Sequence, residues 1–257
     1  MNAPPPLEPP PAPVAPHWRH AFGGVWRLTL HRYLLPGRWM LVLGGLAVLS
    51  VLCLAASHHS DPHEYLEWAG VFHVTFLVPA LAFVGAAGAM REELKATAVD
   101  YVFTRPIRRP AFVAGKFVAH LVGAQLDLLL ALGVVVAVGA GRGIPIPAGA
   151  LPTLLLGQAL LVGAFGALGF LAGIVTSRYI ILGLAYAGIV EAGLGQIPTQ
   201  ISRLSLTHQV RELLDSNPLT TGAALGVAGS LALFTLAALA AAAILLHHRE
   251  LGDSPDS

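Results

Sequence analysis

The chain has 257 residues, 55% of them hydrophobic and only 11% charged, where a soluble domain carries roughly a quarter. Several apolar runs reach about 18 residues or more, the length that crosses ~30 Å of hydrocarbon, so the sequence reads as an all-α integral membrane protein and not as a soluble enzyme. A net charge of +1 excludes a global field for nucleic acid, and Cys53, the only cysteine, excludes a disulfide within one chain.

In chain order, residues 1–16 are mostly proline and alanine and read as a disordered tail with no apolar core of signal-peptide length. Residues 17–38 mix Trp18, Phe22, Trp26 and Tyr33 with arginines and histidines, a composition suited to an amphipathic helix in the membrane interface, in contact with lipid headgroups. A six-span domain is expected over 39–246, with apolar stretches at 39–56, 69–90, 117–140, 151–176, 179–197 and 223–246. None alternates with period two, which favours helices over a barrel. Residues 247–257 form a tail.

Lysine and arginine bias sets the expected orientation. In a six-span arrangement twelve of the fifteen basic residues fall on one side, and only Arg142, Arg203 and Arg211 fall on the other. Both termini and the segment after the second span are therefore expected in the cytoplasm, and the chain in a plasma membrane, the inner membrane of a bacterium.

The segment 91–116, REELKATAVDYVFTRPIRRPAFVAGK, interrupts this apolar background. Leu94, Ala98 and Tyr101 recur at helical spacing, while Glu92, Glu93, Lys95 and Asp100 occupy polar positions. Pro106 forbids smooth continuation, and Pro110 suits the first turn of the next helix. A short cytoplasmic helix, a turn and re-entry follow. Such an element passes a push from a soluble partner into two spans at once; the plainer alternative is a charged loop that only sets topology.

This segment resembles the ABC-2-type transporter permeases, whose members carry after the second span an acidic residue, Gly-Thr, a leucine-rich stretch, Pro-x-x-Arg and Gly-Lys. Here Pro106-Ile107-Arg108-Arg109 supplies Pro-x-x-Arg and Gly115-Lys116 follows, with Asp100 and Glu93, or Glu92 one register over, on the acidic positions; Thr97 and Ala98 stand in place of Gly-Thr. The resemblance implies half of a transporter's membrane unit, paired with a second permease subunit, identical or related. A separate ABC ATPase subunit would dock on the insert through Glu92, Glu93, Asp100, Pro106, Arg109, Gly115 and Lys116. ATP and Mg would belong to that partner. The chain has no phosphate loop of its own, because Gly115-Lys116 is followed by Phe117 and lacks the upstream glycine, and no cofactor is expected on it.

Three polar residues within spans are candidates for a translocation path: Asp127 about ten residues into the third span, Gln158 in the fourth and Glu191 in the fifth. Hydrogen bonds between helices are the alternative use. Gly169 and Gly173 form a Gly-x-x-x-Gly pair that permits close helix contact. Between spans one and two, His58, His59, Asp61 and His63 have the chemistry of a metal site, although their spacing matches none, and a solvated loop is the plainer reading. Residues 196–221 contain Pro198 and then leucines at helical spacing, expected as short outer helices. No His-Glu-x-x-His, Gly-x-Ser-x-Gly or paired intramembrane aspartates suggest an enzyme. Two functions stay open: export of a substrate driven by a partner's ATP cycle, or coupling of ATP hydrolysis to assembly or maturation of an extracytoplasmic complex without transport.

Overall fold

A computed structural model describes residues 18–59, 61–94, 109–147, 149–196, 200–215 and 222–248. Among these residues all regular structure is helical. Helix α1 spans Trp18–Tyr33, α2 Pro36–His59, α3 Pro62–Phe72 and α4 Val78–Glu93. Helix α5 spans Arg109–Gly141, α6 Ala150–Val175, α7 Tyr179–Tyr186, α8 Leu206–Asp215 and α9 Gly222–His248. A π-helical turn, His73–Leu77, joins α3 to α4, and a second, Ala187–Glu191, extends α7.

Among the described residues five helices are long and apolar enough to cross a membrane: Pro36–His58, His63–Glu93, Pro110–Gly141, Ala150–Val175 and Ala224–His248. The expected span at 179–197 is shorter, an apolar helix over Tyr179–Glu191 that reaches about 20 Å at 1.5 Å per residue. Beyond it the chain turns into 3-10 segments at Leu194–Gln196 and Gln200–Leu204 and then into α8.

The expected loop around residues 57–64 is instead two helix ends. Helix α2 continues to His59, and α3 starts at Pro62, a residue whose fixed φ and missing N–H suit the first turn. The Asp61 carboxylate caps α3 by accepting from the backbone N–H groups of His63 and Glu64 at 2.9 and 3.2 Å. At the far end of α5, Gly143 adopts φ +73, and Ile144 N–H and Gly143 N–H donate to the carbonyls of Gly139 and Ala140, both at 3.0 Å. This glycine stop lets the chain leave α5 with Ile144 buried against α3.

Helix α6 is the centre of the bundle. Just over half of its span is buried (56%), against 17% for α2 and 22% for α9. Its tightest neighbour is α4, which runs parallel to it: Gly169 sits on the Phe83 carbonyl, and a Cβ on Gly173 would lie 2.5 Å from the Ala87 carbonyl oxygen. The Gly-x-x-x-Gly pair thus works inside the subunit, bringing two backbones together where any side chain would hold them apart. Phe83, Phe165, Leu128, Leu161 and Leu231 fill the space around this contact. Helices α2 and α9 keep broad apolar faces outward, with Leu41, Leu43, Val48 and Val51 on the first and Leu225, Leu233 and Leu236 on the second.

Helix α1 lies along the first half of α5. The Phe22 carbonyl is 3.0 Å from where a Gly115 side chain would begin, and the Tyr33 ring fills the space beside Gly123. Two glycines eight residues apart on α5 therefore make the groove that receives α1, and the following turn delivers Arg38 to Asp127.

Candidate functional site

The charged insert leaves α4 and re-enters at α5, and its two roots are tied together. Glu93, the last residue of α4, accepts from the Lys116 ammonium at 2.8 Å and from the Arg32 guanidinium of α1 at 2.7 Å. Lys116 is 1% exposed and Glu93 5%, whereas Glu92 is exposed and lies 3.8 Å from Arg32. The group is balanced, two cations against two carboxylates. Balance is what makes it tolerable, because a buried ammonium without a counter-charge is far costlier than a paired one. The Lys116 stem also passes the Phe112 ring, with its nitrogen 5.7 Å from the ring centre.

The sequence-designated docking residues therefore divide by position. Glu92 is on the surface, while Glu93 and Lys116 face each other at the base of the insert, and Gly115 lies under α1. Arg109 opens α5, with its side chain outside the described set, and Asp100 and Pro106 lie outside the described residues.

A second polar chain begins just past the end of α1. Arg38, in the first turn of α2, forms an ion pair with Asp127 and stacks over the Tyr33 ring, 3.5 Å from its centre. The Tyr33 hydroxyl donates to His120 Nδ1 at 2.5 Å, and His120 Nε2 donates to the Ala82 carbonyl at 3.1 Å. Burial raises the Tyr33 hydroxyl above its ordinary value against the opposing pull of Arg38, so it stays a proton donor in this chain. Asp127 was counted ten residues into its span; in the fold it is level with the beginning of α2. The lone acid inside α5 thus has its cation, and α1, α2, α4 and α5 are linked through neighbouring polar contacts.

The three residues proposed for a path are not brought together. Asp127 belongs to the α2–α5 pair. Gln158 accepts from His73 Nε2 at 2.8 Å and donates to Gln125 Oε1 at 2.6 Å, joining α6 to α5 and to the first π turn. Glu191, ending the second π turn, caps α8 from outside: it accepts from the backbone N–H groups of Leu206 (3.0 Å) and Thr207 (3.2 Å), and from the hydroxyls of Ser205 (2.6 Å) and Thr207. A carboxylate at a helix N-terminus is favoured by the unpaired N–H groups and the positive end of the dipole. The middle of α8 is held by Arg211, whose guanidinium donates to Thr75 Oγ1 at 2.5 and 3.1 Å. Helix α8 thus bridges the two π turns, while Leu206, Val210 and Leu213 face the core.

The candidate metal ligands are also separated. Asp61 caps α3, His58 receives Arg142 at 3.3 Å, and His63 lies on α3, with the His59 side chain outside the described set. Among the described residues no group of three or more metal-ligating side chains occurs.

Arg32, Tyr33, Arg38, His120, Thr75 and Arg211 were not among the site residues read from the sequence. One signal was available for Arg38: an acid inside a span needs a cation within reach, and Gly123, one turn before Asp127, marks the groove through which the arginine's own segment approaches.

Five long apolar helices packed about a glycine-rich centre define a multi-pass membrane protein. A family profile described as ABC-2 family transporter protein matches residues 31–187, which contain both polar chains and run to the end of α7 and the first residue of its π turn. The chain belongs to that family, a membrane component of transport. No curated protein matches it.

Proposed function

We propose that this chain is the permease subunit of an ATP-driven exporter, working beside a second permease subunit, with a separate ATPase docked on the 91–116 insert. The observation that carries the reading is the buried Glu93–Lys116 pair with the half-exposed Arg32 closing on it. A helix pressed from the cytoplasm would act on two roots already locked to each other and to α1. From α1 the displacement continues through Tyr33 and Arg38 to Asp127, so a single push moves α2, α4 and α5 together.

Both termini are then cytoplasmic, α1 lies at the inner interface, and Tyr179–Glu191 completes a sixth crossing. Three contacts in register support that crossing: Tyr179 beside Gly88, Gly183 against Phe83, and Glu191 at the start of α8. The outward apolar faces of α2 and α9 meet lipid or the second subunit. The substrate path is formed between subunits, since Asp127, Gln158 and Glu191 are each engaged within one subunit. ATP and Mg are bound by the ATPase.

The test is purification of the full chain from its own membrane with whatever ATPase accompanies it. Reversing Glu92, Asp100 and Arg109 together is expected to release the ATPase while the permease still inserts and stays folded. Retention of the ATPase by this variant overturns the docking role. ATP-dependent movement of a solute in vesicles, against ATP hydrolysis with no such movement, separates export from mechanical coupling to an extracytoplasmic complex.

A further inference from the structure

At the end of the bundle away from the insert, an open groove of about 460 Å³ runs beside the last turns of α2. Among the described residues its lining is Val51, Leu54, Ala55, His58 and Arg142. Positions 51, 54, 55 and 58 recur at the spacing of one helix face. The first three therefore form an aliphatic strip that leads to His58, about 10 Å from Val51 at 1.5 Å per residue. Val51, Leu54 and Ala55 are exposed, on a span of which only 17% is buried, so the strip faces the hydrocarbon of the membrane.

Arg142 makes the head of the strip chemically distinct. It follows directly on α5, where its backbone N–H donates to the carbonyls of Val138 and Gly139, both at 3.1 Å, before Gly143 turns the chain away. Its guanidinium donates to His58 Nδ1 at 3.3 Å, which holds the charge over the end of α2. A guanidinium has five N–H donors, and His58 takes one of them. Among the described residues no carboxylate pairs with Arg142, and none lines the groove. A fixed positive charge thus stands where two spans end, at the top of an apolar strip.

We propose that this groove is a binding site for an anionic phospholipid of the phosphatidylglycerol class, with its phosphate on Arg142 and an acyl chain along Leu54, Ala55 and Val51. Each half of the groove narrows the ligand. A free phosphate gains nothing from the aliphatic strip, whereas a lipid fills both halves at once. The planar guanidinium matches a phosphate through parallel N–H bonds. A zwitterionic headgroup brings an ammonium beside an arginine, with no carboxylate in the described lining to receive it, and is disfavoured by that repulsion. His58 is a positioning residue: it holds the guanidinium over the strip. The site is independent of the ATPase and of which face of the membrane the groove opens on.

The experiment uses the full chain in phosphatidylcholine nanodiscs, doped with one of two photolipids that carry the same diazirine-bearing acyl chain. One has a phosphatidylglycerol headgroup and the other phosphatidylcholine, and adducts are mapped by mass spectrometry. Any lipid touching α2 labels it, so the readout is the ratio of the two labels on residues 51–58. The glycerol lipid is expected to exceed the choline lipid about fivefold there, the worth of one basic residue at an anionic lipid surface. Arg142→Gln, an exposed position whose backbone bonds are untouched, is expected to bring this ratio to about one while the ratio over the arginine-bearing α1 stays as it was. Excess inorganic phosphate is expected to leave the ratio unchanged. Equal labelling by the two lipids on the unaltered chain overturns the site, as does a preference that persists in Arg142→Gln. A fall of the α1 ratio along with that of 51–58 traces the preference to net charge and also overturns it. Loss of the preference in inorganic phosphate overturns the lipid assignment in favour of a free anion.

Discussion

The two ends of the bundle hold their acids differently. At the insert roots, Glu93 is satisfied by two cations from two other helices, and Asp127 nearby by a third. At the α8 end, Glu191 is satisfied by backbone N–H groups and hydroxyls of one short helix, and Arg211 by a threonine hydroxyl. Ion pairs in a dry setting resist separation, because breaking one leaves two uncompensated charges. Neutral donors are exchanged for water or for other donors at lower cost. One end is therefore suited to carrying force between long helices, and the other to letting a short helix shift against its neighbours.

Lys116→Met tests the rigid end most severely. It leaves Glu93 with only the half-exposed Arg32 and is expected to lower stability by about 3–5 kcal/mol, read as thermal unfolding in detergent. The double variant Lys116→Met with Glu93→Gln should recover much of that loss, and a double variant no better than the single one breaks the distinction between the ends. Asp127→Asn comes next, at about 1.5–3 kcal/mol, because Arg38 keeps a hydrogen-bond acceptor but loses its counter-charge. It should also loosen α1 on α5, visible as faster amide exchange over 22–33.

At the α8 end the effects shrink. Glu191→Gln preserves the acceptor and removes the charge, and is expected to cost about 1 kcal/mol. Exchange should quicken in α8 alone, with α4 and α5 unchanged. Thr75→Val, which withdraws the acceptor from a partly exposed arginine, is expected to cost only about 0.5 kcal/mol with the same local signature. Spread of either change to α4 and α5 would show the two ends to be one rigid unit.

Much of the helical layout was legible because hydrophobic run length is set by the bilayer and needs no tertiary knowledge. The exceptions have local causes. Residues 57–64 looked like a loop because they are polar and contain Pro62, yet Asp61 and Pro62 together are a helix start, and only two residues separate α2 from α3. The stretch 179–197 looked like a full span because it is apolar throughout, but its helix ends with the π turn at Glu191, where the carboxylate caps α8. Glu93 and Lys116 were legible as members of one charged segment. That they face each other was not, because 22 residues of unknown path lie between them.

The sequence by itself determined the solvent in which this protein lives, the approximate extent of its long helices and, through residues 31–187, its family. It also marked the one charged segment between helices, since charge inside such a background is costly enough to be conspicuous. Only the tertiary structure decided the partners: Arg32 for Glu93, Arg38 for Asp127, α8 for Glu191, and Gln158 for His73. Helix length follows from local composition, whereas the partner of a buried charge or lone pair depends on which helices the small residues allow to approach. Gly115, Gly123, Gly169 and Gly173 set those approaches, and each becomes informative only once its neighbour is known.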